Sequence, residues 1–274
     1  MSRVFRTGLV LFFTMTLFAV AARAHGADPA KERLDNSPRH HEWADIKTKA
    51  GRTVRAFVVY PEVKQPATAI VVIHENKGLT DWVRSVADQL AEAGYVAVAP
   101  DFLSQTGPDG GGTESYKSND NATRGINALP AEQVLGDLDA AIAYAEGLKA
   151  VNGKVAVAGF CWGGGKTFAC AAHNSKIAAA FVFYGTAPKE GAQALSKISA
   201  PVYGFYGEMD NRITGQVPQV AAQMKKLGKT YTPVVYDGAG HGFMRAGEAA
   251  DASADNKKAR EQAWTAWKEA LKKL

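Results

Sequence analysis

The sequence predicts an α/β fold, a mostly parallel sheet with helices packed on both of its faces. Two patterns predict it. Short, continuous apolar runs such as "TAIVVIH" (Thr68 to His74) and "YVAVAPD" (Tyr95 to Asp101) suit strands buried on both sides. Helix-period segments such as "DWVRSVADQLAEAG" (Asp81 to Gly94) lie between them, and that alternation is the mark of parallel strands joined by crossover helices. The chain has 274 residues, enough for one large domain with a sizeable core.

Taken in order, "TVRAFVVYP" (Thr53 to Pro61) reads as the first strand, followed by Thr68 to His74, the helix from Asp81, and the strand from Tyr95 to Asp101. Residues 104 to 121 are rich in Gly, Ser, Asn and Asp and read as a long loop, a common form for lids and binding loops. An amphipathic helix spans Ala131 to Lys149. A strand over Lys154 to Phe160 and a helix over Gly164 to Ala172 follow. "IAAAFVFYG", "APVYGFYG" and "TYTPVVYDG" supply further strands. "VPQVAAQMKKLG" and "AREQAWTAWKEALKKL" supply helices. No internal repeat is evident.

The beginning of the chain differs in kind. Arg3 and Arg6 precede an apolar stretch from Gly8 to Ala21, and Ala22-Arg23-Ala24 follows. A basic start, a short apolar core and a small-residue site predict a signal peptide over residues 1–24. The stretch is shorter than the ~20 residues a spanning helix needs, which favours cleavage and an exported (periplasmic or secreted) protein over a membrane anchor. Residues 25–42 read as a polar lead-in and 43–274 as the domain. His40, His41 and Glu42 lack a second cluster to complete a metal site, so no metal is expected. The net charge of +5 is mild, and the lysines of the last helix read as a solvated face rather than a nucleic-acid patch.

In such sheets the site lies at the carboxyl ends of the strands. Gly159-Phe160-Cys161-Trp162-Gly163 sits between a buried strand and a helix and has the form of a nucleophile elbow, with cysteine in the nucleophile's place. The helix N-terminus favours thiolate there. A nucleophile needs a base, and the base an orienter. Asp210 and His241 each follow a strand, in the order acid then histidine. Alone, Asp210 could be a helix cap and His241 a satisfied loop residue; their joint placement points to a Cys161–His241–Asp210 triad. The oxyanion donors expected are the backbone N–H groups of Trp162 and of Asn76, in the loop after an early strand.

The ordered set of His74-Glu75-Asn76, Lys77-Gly78-Leu79, "APDF", "GFCWGG", Asp210 and "GHGFM" resembles the dienelactone hydrolase family, over roughly residues 45 to 274. The resemblance implies an α/β-hydrolase fold and carboxymethylenebutenolidase-like cleavage of ester or lactone bonds by a Cys–His–Asp triad, without a cofactor. It implies that Glu75, otherwise readable as a solvated loop carboxylate, contacts and activates the thiol. It also implies that Arg245, four residues after the histidine, holds a substrate carboxylate. Where the family has a second arginine, this chain has Gln105. A neutral amide cannot replace a guanidinium on a carboxylate, so the chemistry carries over and the dienelactone substrate does not.

Three other readings are weighed. A non-catalytic relative that binds a ligand need not keep acid, base and nucleophile together. A thiol redox protein would want C-x-x-C. Cys161 and Cys170 lie nine residues apart, roughly 13 Å along a helix, beyond the ~7 Å a disulfide spans, so two free thiols are expected. "GGGKT" is not a phosphate loop, because Phe160 stands where its first glycine belongs. "NAT" at Asn121 matches a glycosylation sequon, a pattern common by chance.

Overall fold

The computed structural model describes residues 28–274, so the signal-peptide reading of residues 1–24 lies outside the described residues. One eight-stranded sheet organises the chain. Its strands are β1 (His41–Lys47), β2 (Thr53–Val59), β3 (Ala67–Ile73), β4 (Val96–Pro100), β5 (Val151–Phe160), β6 (Ala180–Phe183), β7 (Val202–Gly207) and β8 (Tyr231–Tyr236). They lie in the order β1-β2-β4-β3-β5-β6-β7-β8. Only the pairings of β2, with β1 and with β4, are antiparallel.

The helices are α1 (Pro29–Asn36), α2 (Asp81–Glu92), α3 (Asn119–Ala128), α4 (Ala131–Gly147), α5 (Trp162–His173), α6 (Ala192–Leu195), α7 (Asn211–Thr214), α8 (Val217–Lys226), α9 (Phe243–Ala246) and α10 (Ala254–Leu271). The central strands alternate between two cores, as a period of two requires. Ile70 and Val72 of β3 pack towards α2 and α10, with Leu90 and Trp267. Val71 and Ile73 pack towards α4, α5 and α8, with Leu138, Phe168 and Met224. The expected α/β fold with helices on both faces is what the chain adopts. No helix among the described residues is long and apolar enough to cross a membrane.

Two stretches differ from expectation. The lead-in is not loose: it holds α1, capped by the Asp28 side chain on the Ala30 N–H, and His41 and Glu42 already belong to β1. Asp88 of α2 is the anchor. Its fully buried carboxylate accepts from Ser37, from Arg39 through Nε at 2.9 Å and a second guanidinium nitrogen at 2.6 Å, and contacts His41 Nε2 at 3.0 Å. Burial alone would push this carboxyl up, but the bonds from Arg39, Ser37 and His41 outweigh it and hold it below the ordinary range. His41 is thus engaged with a carboxylate, and no metal-holding cluster of His, Cys, Asp and Glu occurs among the described residues.

The second stretch is 104–121. It contains two single turns of 3₁₀ helix, Pro108–Gly110 and Thr113–Ser115, and the start of α3, whose cap is Ser118. Asp101 ties it down: Oδ2 accepts from the Thr113 N–H at 2.7 Å, and Oδ1 from the Thr113 hydroxyl at 2.7 Å and the Leu103 N–H at 3.0 Å. Asn121 of the sequon lies in the first turn of α3.

Replacing Asp88 with Ala leaves the Arg39 charge buried and unpaired, a change that costs about 3–5 kcal/mol. The expected outcome is a large fall in the unfolding midpoint in denaturant, with early proteolytic cleavage before residue 41. In the parent protein this contribution is present above the unfolded carboxyl pKa near ~4 and is lost as pH falls through the lower folded value.

Candidate active site

The parallel register sets the geometry. β3 and β5 pair Ile73 with Gly159, so Glu75 and Cys161 each stand two residues beyond a matched pair. β5 and β6 pair Phe160 with Phe183, which brings Tyr184 beside Cys161. β7 and β8 end together at Gly207 and Tyr236, ahead of Asp210 and His241. Glu75, Cys161, Asp210 and His241 therefore come from different strand ends on one rim of the sheet.

Cys161 occupies a turn with φ 56° and ψ −114°, a conformation unfavourable to any residue with a side chain. Its N–H donates to the Phe183 carbonyl at 3.0 Å, and its carbonyl accepts from the Gly165 N–H at 3.2 Å. Glycine is required around it by close approach. A Cβ on Gly163 would lie 2.4 Å from the Ile73 carbonyl oxygen, and one on Gly159 2.3 Å from the Gly163 oxygen.

Asp210 is buried and stands at the N-cap position of α7, but its side chain makes no cap bond. Its Oδ2 meets His241 Nδ1 at 2.5 Å instead. The imidazole also interacts with the Cys161 side chain. That contact first, and Asp210 next, outweigh burial and push the His241 pKa up to about 9. The structure thus brings Cys161, His241 and Asp210 together.

Glu75 is buried, and its Oε2 accepts from Arg245 Nε at 2.8 Å. This pair spans 170 positions of sequence, and neither residue's motif announces the other. Asn76 and Trp162 follow the ends of β3 and β5, and neither backbone N–H donates to a protein acceptor among the described residues. Gln105 is placed elsewhere. With φ 61° it turns its Oε1 to the Thr53 N–H at the start of β2, 2.9 Å away. It does not line the cleft of about 660 Å³ that Glu75 and Arg245 border with Trp43, Arg55, Lys77 and Arg84. A larger cavity, about 1290 Å³ along α4, holds none of the four residues of the rim.

His74 is a residue whose role sequence reasoning missed, although it heads the His74-Glu75-Asn76 motif. It is fully buried, stacked on Trp162 at 5.4 Å, with Nδ1 on the Glu75 carbonyl at 2.8 Å and Nε2 on the Phe102 N–H at 3.3 Å. Burial lowers its pKa, which fits a neutral ring that donates through Nδ1 and accepts through Nε2. It locks the loop after β3 to the turn after β4.

The family model for the dienelactone hydrolase family matches residues 54–274. The chain belongs to the dienelactone hydrolase family. It is a hydrolase of the dienelactone hydrolase type, on the α/β-hydrolase fold that the resemblance implied. It is 32% identical over 200 residues to a Methylorubrum extorquens protein named "Putative carboxymethylenebutenolidase", covering 69% of this chain and 68% of that one. It is 30% identical over 212 residues to the carboxymethylenebutenolidase of Pseudomonas putida, covering 74% and 86%. A crystal structure from Klebsiella pneumoniae subsp. pneumoniae, named "Putative Dienelactone Hydrolase", superposes with a TM-score of 0.75 at 24% identity, over 86% of this chain and 99% of that one. That likeness carries the fold.

An NMR titration of the His241 ring is expected to show a midpoint near 9. Asp210→Asn removes one of the two groups that hold the ring proton, so the midpoint moves to lower pH. A midpoint unchanged by that substitution would mean the carboxylate does not control the ring.

Proposed function

We propose that the protein hydrolyses small esters or lactones through a Cys161–His241–Asp210 triad and a thioester acyl-enzyme. The observation that carries this reading is the bond from His241 Nδ1 to Asp210, at the rim of strand ends where Cys161 also stands, with the Cys161 side chain first among the influences that raise the imidazole's pKa. In the first step the Cys161 thiolate attacks the carbonyl carbon and a C–S bond forms. The carbonyl electrons move to oxygen, which the N–H groups of Trp162 and Asn76 hold, each worth ~2.7–4 kcal/mol in such sites. The adduct collapses, the C–O bond breaks, and His241 gives its proton to the leaving alkoxide. Water then attacks the thioester, with His241 taking its proton. The thiolate leaves and the carboxylic acid is released.

Asp210 orients the ring and favours its charged form. Glu75, next to the sulfur in register, assists formation of the thiolate. Because a thiolate is itself a good leaving group, the site favours activated esters and lactones over amides. No cofactor enters the scheme. Arg245 gives only its Nε to Glu75, which leaves its terminal nitrogens for a substrate carboxylate. With Gln105 bonded to β2, no second guanidinium stands at that position, and dienelactone itself is not the substrate proposed. The signal-peptide pattern of residues 1–24 supports an exported compartment, periplasmic or secreted, and the partner proposed is a small-molecule ester or lactone rather than nucleic acid or a membrane.

Cys161→Ala is expected to abolish hydrolysis of p-nitrophenyl esters while the unfolding midpoint stays near that of the parent. Full activity in this variant would remove the proposal and favour a ligand-binding relative.

Iodoacetamide provides an independent measurement. Both cysteines are free, but Cys170 is fully buried and burial pushes its thiol up to about 12. Mass spectrometry after brief treatment at neutral pH should find Cys161 modified and Cys170 intact. Equal, slow labelling of both would argue against an activated thiol.

A further inference from the structure

Tyr184 follows the last residue of β6 and belongs to no motif in the sequence. Its backbone is held at φ 41°, a positive value seldom tolerated by an aromatic residue. Its N–H donates to the Phe205 carbonyl at 2.8 Å, and the next residue, Gly185, is pressed against α5 so closely that a Cβ there would lie 2.2 Å from the Gly164 carbonyl carbon. The side chain is fully buried and meets the rings of His241 at 5.1 Å and Phe243 at 5.4 Å edge-on. Backbone strain beside a reactive residue marks a place that the surrounding structure over-determines.

The hydroxyl is the informative atom. It is buried and has no hydrogen-bond partner among the described residues. Leaving such a group unpaired is unfavourable, and most buried hydroxyls are satisfied. The Tyr184 ring touches His241 and Phe243, which flank Gly242, and a Cβ on Gly242 would lie 3.8 Å from Glu75 Oε1, so the phenol and the carboxylate share one neighbourhood of the site. Burial keeps the phenol protonated, so towards an anion it is a donor. Glu75 Oε2 is held by Arg245, whereas Oε1 accepts from no donor among the described residues and faces Gly242. A buried donor without a partner and a buried carboxylate with one free oxygen thus stand around the same glycine.

We propose that Tyr184 is a positioning residue for Glu75: its hydroxyl donates to the carboxylate and, with Arg245, holds it beside Cys161. The inference rests on the reading of Cys161 as nucleophile and Glu75 as its helper. Arg245 is half-exposed and borders the open cleft, so its grip on Glu75 competes with solvent and with any anion that enters. Tyr184 is sealed from both, and supplies the anchor that substrate cannot displace.

A double-mutant cycle on p-nitrophenyl ester hydrolysis tests it. Tyr184→Phe is expected to lower kcat about 10- to 100-fold, the effect of losing a hydrogen bond to a charged group, with KM nearly unchanged. In a Glu75→Gln background the same substitution should change kcat by less than about twofold, because the carboxylate it acts through is gone. Wild-type kcat in Tyr184→Phe, or an equal loss in both backgrounds, would overturn the proposal. Should Tyr184→Phe fail to fold, 3-fluorotyrosine placed at position 184 gives a ¹⁹F resonance that must move in Glu75→Gln, and an unmoved resonance overturns it equally. Cys161→Ala separates the two levels. Activity in that variant removes the nucleophile itself, whereas its inactivity beside an unaffected Tyr184→Phe removes only the role of Tyr184.

Discussion

The site depends on the close contact between the start of α5 and the ends of β3 and β6. The chain can turn at Cys161 only because Gly159 and Gly163 leave no Cβ to collide with backbone, and Gly164 and Gly185 repeat that condition one layer further along. Each would place a methyl carbon within about 2.5 Å of a backbone atom. The turn stores unfavourable φ/ψ at the one residue whose side chain has to project from the sheet. Every other group of the site is placed relative to that projection by strand register.

The groups around the sulfur are held by partners that differ in kind. Asp210 leaves its helix uncapped and meets His241. Glu75 meets Arg245 across the sheet rim. The loop that carries Glu75 and Asn76 has a second, uncharged anchor besides that ion pair. It is held by His74, through a backbone carbonyl, a backbone N–H and the face of Trp162.

Much of this was legible in the chain, for reasons that can be stated. β3, β4 and β5 from Val155 onward are buried on both faces, so those residues are almost all apolar and their carboxyl ends are sharply marked. Gly159-x-Cys161-x-Gly163 encodes its own turn, and Asp210 and His241 follow strands in an order that narrows the possibilities. β1 was not legible because "HEWADIK" is an edge strand with most side chains partly or fully exposed, held as much by Asp88 as by its own pattern. α3 was missed because "NDNATRGINA" is polar and buries only Ala122 and Ile126. The Glu75–Arg245 pair joins residues 170 positions apart, and Tyr184 is oriented by His241 and Phe243 from a distant strand end, and no local pattern records those contacts. Gln105 occupies the position aligned with an arginine, yet the bond it makes lies at the strand beside it.

His74 has a consequence for how this protein responds to its surroundings. A ring whose charged form burial disfavours, with both nitrogens already engaged, is harder to protonate than a free imidazole. The link between the loop after β3 and the turn after β4 is thus made by a ring biased towards its neutral form. Acid has to overcome that bias before it can loosen the link.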